Sequence, residues 1–165
     1  MTLSKTLSTA NDLFQLSSTG KRYELVKGEL LEMAPTGGRH GRVASRIDFR
    51  LRGYVEQHDL GEVFAAETGF RIEQGPDTVR APDVAFIAKG RLPESGPPVG
   101  FPDLAPDLVV EVVSPGDTAS EIQAKVEDWL RAGVKLAWVV YPETRSVAVY
   151  QSMQKARVLT DQDVI

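Results

Sequence analysis

The chain has no cysteine among its 165 residues, which excludes disulfide stapling and thiolate metal sites alike. Its only histidines are His40 and His58. One helix would carry them about five turns apart, a spacing that does not suit a histidine-built metal centre. No apolar run is long enough to cross a bilayer. The opening Met1-Thr2-Leu3-Ser4-Lys5 lacks the continuous apolar core of a secretion signal. A cytoplasmic protein with no membrane segment is the simplest reading. There is no repeat of fixed period, no glycine-rich phosphate loop and no nucleophile elbow. The net charge of −4 argues against a chain that coats nucleic acid indiscriminately, but it leaves room for a local basic surface. What is present is 42% hydrophobic residues, enough for one domain with a sizeable core.

Periodicity and turn residues divide the chain. Residues 1–19 are rich in serine and threonine, with a short helix expected at Ala10–Leu16. Tyr23–Val26 and Leu30–Met33 read as a hairpin turning at Gly28. A long helix is expected from Arg39 to His58, with Val43, Ile47, Leu51, Tyr54 and Val55 on one face. Its other face gathers Arg39, Arg42, Arg46 and Arg50 within roughly 80° of each other. Val63–Ala66 and Gly69–Ile72 read as strands, and Gln74–Asp77 as a turn leading on to Asp83. Prolines 93, 97, 98, 102 and 106 mark a loop. Beyond the next strand and helix, Leu136–Tyr141, Ser146–Gln151 and Arg157–Leu159 complete the strands. The segment from Asp107 to Tyr141 is a strand–helix–strand candidate for a parallel crossover.

Two apolar strands each contain one conspicuous acid. Asp83 opens Val84–Ala88, and Glu111 sits among Leu108, Val109, Val110, Val112 and Val113. Such a run marks a strand covered on both faces, where a carboxylate is costly unless it is paired or holds a cation. Thr118 and Glu121 form a capping-box pattern ahead of a helix whose buried stripe is Ile122, Val126, Trp129 and Leu130. Lys125 lies roughly 60° from Ile122 and 40° from Trp129, so it flanks that stripe and can reach back toward Glu111. Two acids and a lysine converging at strand ends suit metal-dependent hydrolysis. The bland readings are a capping Asp83 and a snorkelling surface Lys125. For the arginine row the bland reading is a solvated face; the functional one is phosphate contact. His40 either lines the cleft or binds phosphate. Glu29, beside the hairpin glycine, is a candidate further carboxylate, and Glu24 ranks below it. Trp129 and Trp138 read as core.

Read together, Tyr23-Glu24-Leu25-Val26-Lys27-Gly28-Glu29, His40-Gly41, Pro82-Asp83-Val84, Asp107–Pro115, Lys125 and Gly133-Val134 carry a resemblance. The ordered set resembles the Uma-type restriction endonucleases, a branch of the PD-(D/E)XK nuclease superfamily, from about Tyr23 to Tyr150. The resemblance implies an α/β restriction-endonuclease-like core: a central mixed β-sheet flanked by helices, with an N-terminal β-hairpin layer. It places residues 20–165 in one nuclease-like domain, and because the family usually continues further, a missing final element is an expectation. It implies a metal-dependent DNA endonuclease, with Asp83, Glu111 and Lys125 catalytic. Asp83, Glu111 and Glu29 would hold Mg²⁺, with Mn²⁺ as substitute, and Arg39, His40, Arg42, Arg46 and Arg50 would contact DNA. A homodimer is the implied assembly. One departure stands out: the superfamily's usual lysine would fall at Val113, and the resemblance to the Uma-type branch implies a lysine from the following helix instead, here Lys125. The alternative is a catalytically degenerate nuclease scaffold that binds or assembles; a metal-free acid/base hydrolase is a third, weaker reading.

Overall fold

The computed structural model describes residues 7–16 and 20–163, so the expected 1–19 segment is described only from residue 7 to residue 16. Helix α1 (Ala10–Leu16) precedes the hairpin of β1 (Arg22–Val26) and β2 (Glu29–Met33). Lys27 and Gly28 both adopt positive φ, 49° and 78°, the conformation that a two-residue hairpin turn requires. Gly28 also has no room for a side chain, since a Cβ there would lie 2.7 Å from the Leu7 Cβ.

Helix α2 (Gly38–Gln57) follows, then β3 (Gly61–Ala65), β4 (Phe70–Glu73), β5 (Thr78–Arg80) and β6 (Val84–Ala88). Strand β5 falls where the sequence suggested only a passage from turn to Asp83. It pairs with both β1 and β4, so the hairpin layer grows into a four-stranded sheet of order β2-β1-β5-β4. Strand β7 (Leu108–Val112), helix α3 (Ala119–Arg131), β8 (Leu136–Tyr141), β9 (Ser146–Ser152) and β10 (Lys155–Leu159) complete the chain. The second sheet has the order β10-β9-β8-β7-β6-β3. It is mixed: β7 and β8 run parallel across the α3 crossover, and β6 runs antiparallel to β7.

Alternation along β7 divides the core between two helices. Leu108, Val110 and Val112 pack on the α2 side with Ala44, Val55, Val84 and Val140. Val109 faces the other way, among Phe70, Ala85, Ile87, Trp129 and Ala137. Helix α2 buries Ala44 and Val55 as its period requires, but Tyr54 at the border of that face is 58% exposed and stacks near His58 instead. Helix α3 starts with the anticipated capping box: the Thr118 hydroxyl accepts from the Glu121 N–H at 3.2 Å, and the Glu121 carboxylate accepts from the Thr118 N–H at 2.9 Å.

Candidate active site

The cluster lies where the start of β6, the end of β7, β1, β5 and α3 meet. Val84 pairs with Val110, so Asp83, just before β6, lies beside the end of β7 that carries Glu111. Backbone bonds fix the approach: the Asp83 N–H donates to the Val110 carbonyl at 3.0 Å, and the Val112 N–H donates to Asp83 Oδ2 at 2.7 Å. His40, from the first turn of α2, brings Nε2 within 3.2 Å of the same oxygen. Its Nδ1 is buried with no hydrogen-bond partner among the described residues.

Helix α3 supplies the other side. Trp129 Nε1 donates to Glu111 Oε1 at 2.8 Å, and Lys125 Nζ donates to Glu111 Oε2 at 3.3 Å. Lys125 and Trp129 are four residues apart and therefore share a helix face. Trp129 is thus more than core: it is buried, yet its one polar atom orients the acid. Lys125 Nζ also faces Glu24 Oε1 at 3.7 Å. Glu24 is 3% exposed and accepts the Ala81 N–H at 3.1 Å and Arg80 Nη1 at 2.7 Å. Arg80 then reaches Asp128 of α3 through Nε and Nη2, at 3.1 and 2.6 Å.

The electrostatics follow from crowding several acids where water is scarce. Burial pushes the Glu111 carboxyl up to about 7; Lys125 opposes the rise, Glu24 and Asp83 add to it, and the Trp129 N–H opposes it. Burial also raises Asp83, against the Val112 N–H, His40 and Lys125. Burial alone would lower Lys125, but Glu111 and Glu24 together outweigh it and raise its pKa. Setting His40 aside, the ionised cluster holds four carboxylates (Glu24, Asp83, Glu111, Asp128) and three cations (Arg80, Lys125, Arg131), a net charge of −1. Among the described residues no three acids or histidines close into a ready-made metal cage. Two neighbouring carboxylates in a cluster where acids outnumber cations fit a hard divalent cation that keeps much of its water.

The structure brings together Asp83, Glu111, Lys125 and His40, and it adds Glu24, Arg80 and Asp128. Glu29 stands exposed at the start of β2, opposite Val26, and the carboxylate beside Lys125 is Glu24. The arginines lie elsewhere on α2. Arg42, Arg46 and Arg50 are exposed and pair with no carboxylate of the described residues, next to Phe49 at 72% exposure. Arg39 is exposed and 3.9 Å from Glu143, whereas His40 is buried against Asp83 rather than set in that row. Asp107, at the opposite end of β7, is a strand anchor bound by the Ala88 N–H and Arg91.

Together the mixed sheet, its crossover helix and the acid-and-lysine cluster at the strand ends define a restriction-endonuclease-like α/β protein. The chain belongs to the Uma2 family, described as "Putative restriction endonuclease", whose pattern it matches over residues 10–165. It is similar in fold to a solved putative nuclease belonging to DUF820 from Anabaena variabilis, with a TM-score of 0.80 at 22% identity, covering 94% of this chain and 86% of that one. At that identity the likeness speaks for the fold. No curated protein matches the chain. Among the described residues no helix is long and apolar enough to cross a membrane.

Proposed function

We propose that the cleft hydrolyses DNA phosphodiester bonds with a divalent cation, Mg²⁺ or Mn²⁺ in its place. The observation that carries this reading is the neighbouring pair Asp83 and Glu111, both with pKa raised by burial, in a cluster where carboxylates outnumber cations. Charge of that kind is costly where water is scarce and is relieved by a dication. Asp83 and Glu111 are the residues that would hold the ion. When bound, it supplies Lewis-acid stabilisation of a phosphoryl oxygen and acidifies water. His40 and the Val112 N–H hold Asp83 by one oxygen, and Trp129 and Lys125 hold Glu111. Lys125 orients the attacking water or balances charge building on the phosphate. Arg42, Arg46 and Arg50, with Arg39 at the helix start, contact backbone phosphates from the outer face of α2. Cutting both strands is served most simply by a two-fold pair of chains, so a homodimer belongs to the same proposal.

Plasmid and duplex cleavage tests the reading with wild type, Asp83→Asn and Lys125→Met, each with Mg²⁺, Mn²⁺ or EDTA. Cleavage is expected only with a divalent ion, and each variant should lose at least about 100-fold. Cleavage that persists in EDTA would overturn the metal role. Val113, apolar and packed against Val126 and Val139, occupies the superfamily's usual lysine slot and favours the rival scaffold reading. DNA binding without cleavage under any divalent ion would establish that rival.

A further inference from the structure

Arg80 is the most completely engaged cation among the described residues. Its side chain is 6% exposed, and all three guanidinium nitrogens are in use. Nη1 holds Glu24 Oε2 at 2.7 Å, while Nε and Nη2 hold Asp128 Oδ2 at 3.1 and 2.6 Å. Val79 pairs with Leu25, so Arg80 stands directly across the β1–β5 ladder from Glu24. Its other partner, Asp128, lies three residues beyond Lys125 on α3. Arg80 thus grips both the acid that competes for Lys125 and the helix that carries Lys125. None of its hydrogen bonds reaches Asp83 or Glu111.

The geometry around Lys125 makes this more than a tie between layers. Nζ lies between two carboxylates, 3.3 Å from Glu111 and 3.7 Å from Glu24. Glu24 is the deeper of the two acids, 3% exposed against 12%. An unpaired Glu24 would draw the nearest cation strongly, because a buried charge left alone is the costly case. Both its oxygens are already engaged, Oε2 by Arg80 and Oε1 by the Ala81 N–H. We propose that Arg80 is a positioning residue: as the counter-ion of Glu24, it leaves Lys125 on Glu111 at the cleft. Asp128 fixes Arg80 in that task with two hydrogen bonds, a planar fork that lysine cannot reproduce. The inference rests on the role proposed above for Lys125, but its structural half stands without it.

The test compares Arg80→Met with the double variant Glu24→Gln/Arg80→Met. In Arg80→Met, crystal structures should find Lys125 Nζ moved onto Glu24, with kcat down by about 100-fold and KM for DNA unchanged. In the double variant the competing Glu24 charge is gone, Arg131 still pairs Asp128 at 3.2 Å, and the cluster keeps its wild-type net charge. Lys125 should return to Glu111, and kcat should recover to within about tenfold of wild type. If Arg80 merely docks α3, the double variant lacks the same tie and does no better than the single one; that result overturns the proposal. If Arg80→Met fails to fold, the double variant decides alone: Lys125 on Glu111 supports the proposal, and Lys125 displaced overturns it. If wild type cleaves nothing, the cleavage reading fails while the lysine position in the two structures still settles Arg80.

Discussion

Replacing Glu111 with glutamine keeps the side chain's shape and removes a charge that its surroundings resist. Its pKa rises from 4.5 to about 7 in the folded protein, first through burial and despite Lys125. The folded state therefore holds this proton more tightly than the unfolded chain does. The sign is fixed by that order: the group's contribution is fully present below the unfolded value and is lost as pH climbs from 4.5 toward 7. Between pH 5 and pH 8 the loss amounts to roughly 2–3 kcal/mol. Glu111→Gln does not titrate, so its stability relative to wild type should improve by that amount across the same interval. For a domain of this size the gain corresponds to roughly 5–10 °C in Tm. Melts of both proteins at pH 5 and pH 8 in EDTA provide the comparison, and the change of the difference with pH cancels any fixed packing effect. Added Mn²⁺ should then raise the wild-type Tm well above that of the variant, since an ion stabilises the state that binds it. A difference that stays flat with pH would refute the reasoning. So would a loss of about 3–5 kcal/mol at pH 8, the mark of an ionised Glu111 serving as the required partner of Lys125.

Other outcomes follow from the same charges. Because ligand carboxylates must be deprotonated, Mn²⁺ binding near pH 6 should release about one proton and tighten as pH rises to about 7; calorimetry in buffers of different ionisation enthalpy measures the release. Reversing Arg42, Arg46 and Arg50 to Glu should weaken DNA binding in EDTA and reduce the salt slope by about 0.9 for each phosphate that is no longer neutralised; an unchanged slope would leave the row as a solvated face. Sedimentation should find a dimer at micromolar protein without DNA, and a monomer throughout would count against a stable pair.

How much of this was legible in the sequence depended on the distance between partners. The β7 acid stands out because Val109, Val110, Val112 and Val113 leave no ordinary place for a charge. The α3 capping box is local, with both partners within three residues. The position of Lys125 beside the buried stripe follows from helical period. Arg80 was invisible for the opposite reason: its partners Glu24 and Asp128 are 56 and 48 residues away, and its strand has only three residues. Between Glu24 and Glu29 the sequence favoured the acid beside the turn. The choice depends on sheet order, which places β1 inside the sheet and β2 at its edge. Tyr54 sits at the border of the α2 apolar face, where period alone does not decide which side is buried.

The central claim is that Asp83 and Glu111 hold a divalent ion. Crystals soaked in Mn²⁺ above pH 7 and measured for anomalous scattering test it most directly. One strong peak within bonding distance of oxygens of both Asp83 and Glu111 is expected, absent from Glu111→Gln crystals treated identically. Well-ordered crystals in which Lys125 still bridges Glu111 and Glu24 with no peak between the two acids, at Mn²⁺ concentrations that support cleavage in solution, would contradict it.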